Sequence, residues 1–225
     1  MAKMVQFFSS RWGIISAGLF VGVFAPLLQH WGNPKNMGIC VACMERDIAG
    51  ALGLHRAAVV QYIRPEIIGF VLGALIAAVL FREFKPRGGS SPIIRFFLGF
   101  FAMIGALVFL GCPWRALLRL AGGDWNAIVG LAGLAFGIWI GVLFLKSGYT
   151  LGRSTKAGGF SGLVFPILMV VLLLFLLFAP QFGRTPEGTP AGPIFFSQKG
   201  PGSQHAPIVV SLIIALCVGF LAQRT

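Results

Sequence analysis

The stretch "GICVACMERD", residues 38–47, sets Cys40 and Cys43 three residues apart and follows them with Glu45, Arg46 and Asp47. Thiols and ions this close together suit metal binding, disulfide exchange or the holding of an anion. In a helix each residue turns by roughly 100°, so Cys40, Arg46 and Asp47 stand at about +60°, −60° and +40° from Cys43. One face then holds both thiols, the arginine and the aspartate, with Glu45 nearly opposite. An aspartate on such a face needs a cation, and Arg46, Arg56 and Arg64 are the candidates. The same residues also fit a packing clamp, an interface ion pair with the cysteines as small apolar side chains.

A second group is Gly111-Cys112-Pro113, followed by Arg115 and Arg119. Proline favours the first helical position, which puts Cys112 at the N-terminal end of a short helix starting at Pro113. The N–H groups and dipole at that end favour an anion. Arg115 adds positive charge there, and Arg119 does so less directly, unless both snorkel to lipid headgroups. Soft sulfur beside a cation suits an anion with a soft atom, such as a sulfur or selenium oxyanion.

A zinc site wants four ligands, and there is no second CxxC, while His30, His55 and His205 stand apart in the sequence. Thiol–disulfide exchange through Cys40 and Cys43 is the competing chemistry, with a third cysteine available to resolve a mixed disulfide. No exposed cysteine loop or aromatic quinone pocket accompanies it. Cys217 lies within an apolar run and reads as packing.

These residues sit in a chain of 225 residues that is 57% hydrophobic and 11% charged. Soluble domains carry roughly 25% charged residues, so this is an all-α integral membrane protein. Six stretches approach the roughly 20 residues that cross a bilayer: 12–31, 64–82, 93–111, 125–145, 161–180 and 207–222. The net charge of +12 gathers at the ends of these stretches, not in basic runs interleaved with aromatics. That argues against nucleic acid and for the lipid bilayer and an anionic solute as partners. Lys3 and Arg11 precede the first run without a cleavage motif, so 12–31 reads as a retained helix.

Residues 33–63 are too polar to cross lipid and too apolar for a plain loop. With 112–124 they read as two short re-entrant helices, tolerated at membrane depth only inside protein or along a cavity. If both dip into the membrane, the Lys and Arg balance favours a cytoplasmic N-terminus and a multi-pass protein of the inner membrane. Six of the 13 prolines fall within 180–207, which reads as an extended surface linker. "SLIIALCVGFLAQ", 211–223, lies over "GIISAGLFVGVFAPLLQ", 13–29, as a repeated Gly-punctuated helix. The expected organisation is a first half over 1–160 with both cysteine motifs, a further span over 161–180, the linker over 181–206 and the start of a second half over 207–225.

"GICVACMERDIAGALGLHRAAVVQYIRPEIIG" together with "GALVFLGCPWRALLRLAGGD" resembles the YeeE/YedE family of membrane proteins, in its branch associated with selenium metabolism, over residues 13–155. The motifs that carry the resemblance are Cys40, Cys43, Arg46 and Asp47, and Gly111, Cys112 and Pro113. The resemblance implies an hourglass-shaped transporter of two inverted halves. Cysteines at its constrictions pass on a sulfur-containing anion, thiosulfate in the characterised branch, and a selenium compound is implied here. It implies a transporter and not an enzyme, with no cofactor. Cys40, Cys43 and Cys112 would touch the soft atom, Arg46 and Arg115 would offset charge, and Asp47 would orient an arginine. Family members carry further cysteine motifs in a second half, which these residues do not include. A longer frame or a homodimer would complete the pathway, and a small soluble sulfur-carrier protein is a candidate partner.

Overall fold

The structure, a computed structural model, describes residues 8, 10–89, 91–109, 111–179, 181–182 and 193–224. Lys3 and residues 183–192 of the Pro-rich stretch, Arg184 included, lie outside them. The chain is mostly helical, at 67%. Proline sets several helix starts, because its fixed backbone angle suits the first turn and its missing N–H costs nothing there. In chain order the helices are α1 (Arg11–His30), α2 (Val41–Ala51), α3 (Pro65–Leu80), α4 (Pro92–Val108), α5 (Pro113–Ala121), α6 (Asn126–Lys146), α7 (Gly159–Phe178) and α8 (Ile208–Arg224). Two short strand pairs join them: Arg87–Gly88 runs antiparallel to Thr155–Lys156, and Gln181–Phe182 parallel to Ile194–Phe195.

Among the described residues, four stretches are long and apolar enough to cross a membrane: Arg11–His30, Pro92–Ala121, Asn126–Lys146 and Gly159–Phe178. The second of these includes the break between α4 and α5. The sequence also suggested spans at 64–82 and 207–222. There the helices α3 and α8 have 16 and 17 residues, hence lengths of roughly 24 and 26 Å against an apolar core of about 30 Å.

By its contacts the chain divides into two units, Met1–Phe84 with Leu163–Thr225, and Lys85–Gly162. In the first, α3 and α8 pack face to face through glycines. A Cβ on Gly73 would run into the backbone of Leu216, and one on Gly219 into the backbone of Phe70. At Gly69 it would meet the Leu212 carbonyl at 2.7 Å. Small residues let helix backbones approach this closely, which is how helices associate where lipid removes the hydrophobic drive. Arg224 closes the far end, 2.7 Å from Glu83 and with its guanidinium 4.1 Å from the centre of the Phe81 ring. Beside this pair, Met44, Ile48, Ile63, Ile67, Ile68, Met169 and Leu172 form one apolar core.

Residues 193–206, expected as surface linker, instead pack into this unit: Ile194, Ser197 and Ala206 are buried. Ser197 Oγ accepts from the Gln61 N–H at 2.8 Å, and the Ser197 N–H donates to the Gln61 carbonyl at 2.9 Å. Pro and Gly keep this stretch from forming an α-helix, leaving one 3-10 turn at Pro201–Ser203, and the backbone groups find partners across the unit.

In the second unit α4 has no buried residue and α6 only Ala127. An apolar surface of this extent is far outside the range of water-facing proteins and matches a surface turned to lipid.

Candidate functional site

In the first unit α2 begins at Val41, with Cys40 extended (φ −137°, ψ 100°) as its N-cap. The helix expected from residue 38 thus starts three residues later. Gly38 is held by a close approach to the backbone of Ala25, and its carbonyl accepts from Asn33 Nδ2 at 3.3 Å. Cys40 therefore leaves the helical face it was expected to share, while Cys43, Arg46 and Asp47 stay on α2. Both thiols are buried, Cys40 at 0% and Cys43 at 1% exposure. Neither they, Cys112 nor Cys217 is joined in a disulfide.

Asp47 is fully buried between two guanidinium groups. Its Oδ1 accepts from Arg46 Nε at 3.1 Å and Nη2 at 2.7 Å. Its Oδ2 takes Arg64 Nε at 2.8 Å and lies 2.7 Å from Arg64 Nη2. Of the three expected cations, Arg46 and Arg64 are used and Arg56 is exposed. Arg64, itself 0% exposed, also donates to the carbonyls of Gln204 (Nη1, 2.9 Å) and Pro201 (Nη2, 2.7 Å). Its guanidinium stands 5.0 Å from the centre of the Tyr62 ring, which stacks on His205 at 4.8 Å. The Tyr62 N–H donates to the Asp47 carbonyl at 3.1 Å. Charge-assisted bonds of this length are the strong kind, and they have to offset the desolvation of both ions.

His55 fixes the end of α2. Its Nδ1 accepts from the Ala57 N–H at 3.2 Å, so Nε2 carries the proton and donates to the Arg46 carbonyl at 2.9 Å. The ring crowds Gly50, where a Cβ would meet the Val60 carbonyl at 2.6 Å.

Sequence reasoning missed a neighbouring polar group around Glu66, in the first turn of α3. Its Oε1 accepts from Asn33 Nδ2 at 2.7 Å and Ser211 Oγ at 3.0 Å. Asn33 Oδ1 in turn accepts from the Ala206 N–H at 2.9 Å. The available signal was a carboxylate just inside an apolar run, in Arg64-Pro65-Glu66. Tyr62 lies in the loop ahead of α3, where burial first and the Glu66 charge second push its hydroxyl pKa up.

The second unit holds Cys112, Pro113 and Arg115. Cys112 is the extended N-cap (φ −76°, ψ 171°) of α5 and Pro113 its first residue. Gly111 precedes them at φ +151°, and a Cβ there would collide with the carbons of Arg115. Cys112 and Arg115 are half-buried and Pro113 is exposed. Arg119 donates through Nε to Asp124 Oδ2 and through Nη1 to the Phe109 carbonyl, each at 2.7 Å. It thereby ties the end of α4 to the turn before α6. The Arg119 hydrogen bond holds the Asp124 carboxyl below its ordinary pKa.

The structure therefore gathers Cys43, Arg46 and Asp47 on one helix with Cys40 at its cap, and Cys112, Pro113 and Arg115 at the start of another in the other unit. Among the described residues no three His, Cys, Asp or Glu side chains converge as a metal site requires. Compared with protein-family models, curated proteins and solved structures, the chain matches none.

Proposed function

We propose that this chain is a membrane transporter of the YeeE/YedE kind, moving a selenium- or sulfur-containing anion across the inner membrane along a cysteine-lined path. In this reading α3 and α8 are also spans, giving six, α2 and α5 are the short intramembrane helices, and the chain is the first half of an inverted repeat. Cys40, Cys43 and Cys112 meet the soft atom of the solute in turn. Arg46 and Arg115 offset its charge, and Asp47 orients Arg46. A second copy of the chain and a small soluble sulfur carrier are the partners it would use.

The observation that carries the reading is two buried thiols on and beside the helix that brings the buried Asp47–Arg64 pair together with the partly exposed Arg46, in a chain whose described residues include four stretches long and apolar enough to cross a membrane. That cluster has one positive charge in excess, and an ionisable group placed this way at membrane depth marks a solute path by default. Burial of both CxxC sulfurs weighs against the oxidoreductase alternative, since exchange with a protein disulfide needs an accessible thiolate.

The test is accumulation of labelled thiosulfate and labelled selenite in cells making the chain, beside its Cys112→Ala and Cys43→Ala forms. Uptake that falls to background in both variants at equal expression is expected. Uptake that survives Cys112→Ala overturns the relay.

A further inference from the structure

We propose that Glu66 is a proton-binding site that couples each passage of the anion to one proton. The inference rests on the transport reading. Glu66 is 3% exposed, yet only Oε1 is engaged, by Asn33 and Ser211. Oε2 is buried and has no hydrogen-bond partner among the described residues, and the same holds for the Tyr62 hydroxyl. Buried polar atoms are nearly always partnered, and a charged oxygen left without a donor is the costly exception. A proton on Oε2 removes that charge. Buried carboxylates of this kind in membrane proteins serve as proton carriers.

The geometry links this carboxyl to the anion site through the segment 201–211. Arg64 holds that segment by the carbonyls of Pro201 and Gln204, on the same guanidinium that pairs with Asp47. Glu66 holds it from the other side, by Ser211 directly and by Ala206 through Asn33. Bonds to a carboxylate are about twice as strong as neutral ones, so protonating Glu66 loosens one of the two grips. The segment then shifts its hold toward Arg64, the partner of Asp47. Of the charged or titratable groups near Glu66, Tyr62 ahead of α3 feels its charge, and Arg64 and, on the segment itself, His205 pack on the Tyr62 ring. Beyond Arg64 come Asp47 and Arg46 of α2. Asn33 and Ser211 carry no charge.

The experiment uses the full chain in lipid vesicles with labelled thiosulfate, which keeps its charge across the neutral range, and with the membrane potential clamped. A pH-sensitive dye inside the vesicles counts protons. One proton per anion predicts that the accumulation ratio rises about tenfold for each pH unit of gradient. Glu66→Gln keeps the acceptor for Asn33 and Ser211, so it exchanges anion at equal pH but ignores the gradient. Glu66→Asp keeps a carboxyl and retains coupling. Wild-type uptake that ignores the gradient, or brings in no protons, overturns the proposal and leaves the transport reading standing. Coupling that survives Glu66→Gln, or is lost in both variants, overturns the assignment to this carboxyl. Wild-type vesicles that take up no thiosulfate at any gradient overturn both.

Discussion

Replacing Asp47 by Asn keeps the side chain's shape and deletes the one negative charge that two guanidinium groups share. Asn offers a single carbonyl oxygen, so one of the two arginines faces an N–H₂ where it had a carboxylate oxygen. Arg64 decides the magnitude, because its side chain is 0% exposed whereas that of Arg46 is 24% exposed. Water screens the Arg46 contact, which is worth at most about 1 kcal/mol. Stranding a buried guanidinium by removing its partner costs about 3–5 kcal/mol. That is a large share of the roughly 5–15 kcal/mol that holds a domain folded. The assay is denaturant unfolding of the purified chain in detergent, followed by tryptophan fluorescence. A second substitution isolates the pair: Arg64→Met alone strands two carbonyls and half of Asp47, but on Asp47→Asn it also removes an orphan charge. We expect it to cost about 1–3 kcal/mol less in that background. An Asp47→Asn protein within about 1 kcal/mol of wild type, or a strictly additive cycle, refutes the argument.

Two further outcomes follow. With Cys112 and Cys217 replaced by Ala, only the buried Cys40 and Cys43 remain, and N-ethylmaleimide is expected to label the protein slowly until it is unfolded. Rapid labelling in the folded state contradicts the placement of both thiols. For Asp124, whose pKa is lowered by the Arg119 hydrogen bond, the stabilising effect is full above the ordinary carboxylate pKa and fades as pH falls through the lowered value. Thermal unfolding across acidic pH should lose that component in Asp124→Asn, and identical profiles for the two proteins count against the pair.

What could be read from the sequence was local. Pro113 announced a helix start, four of the six long apolar runs announced membrane-length helices, and helical spacing put Arg46 and Asp47 on one face. Arg64 was already among three candidate partners for Asp47, but choosing it over Arg56 needed the fold. The rest depends on residues far apart in the chain. Cys40 falls outside α2 because Gly38 is pressed against Ala25, which no spacing rule on 38–47 contains. Composition made 193–206 look like linker, whereas its backbone is satisfied by Arg64 and Asn33, up to 173 positions away. Glu66 was overlooked because a charge at the edge of an apolar run is ordinary there, and its buried partners, Asn33 after α1 and Ser211 of α8, are brought to it only by the fold.

The division of labour between the two arginines follows from how their donors are used. Arg64 commits Nε, Nη1 and Nη2 to Asp47 and to two carbonyls, so it holds the fold together and has little left for a solute. Arg46 commits Nε and Nη2 to a single oxygen, and among the described residues its Nη1 has no hydrogen-bond partner. It is also the partly exposed member of the cluster. In the proposed function, the excess positive charge therefore sits at the end that the anion would reach first. A solute can take the remaining Arg46 donor without breaking the Asp47–Arg64 bonds. Binding then adds to the stability of the folded state, by about 2.7 kcal/mol at a hundredfold excess over Kd, and does not compete with the contacts that maintain it. In the proposed function, holding the fold and holding the anion would thus draw on different N–H groups of the cluster.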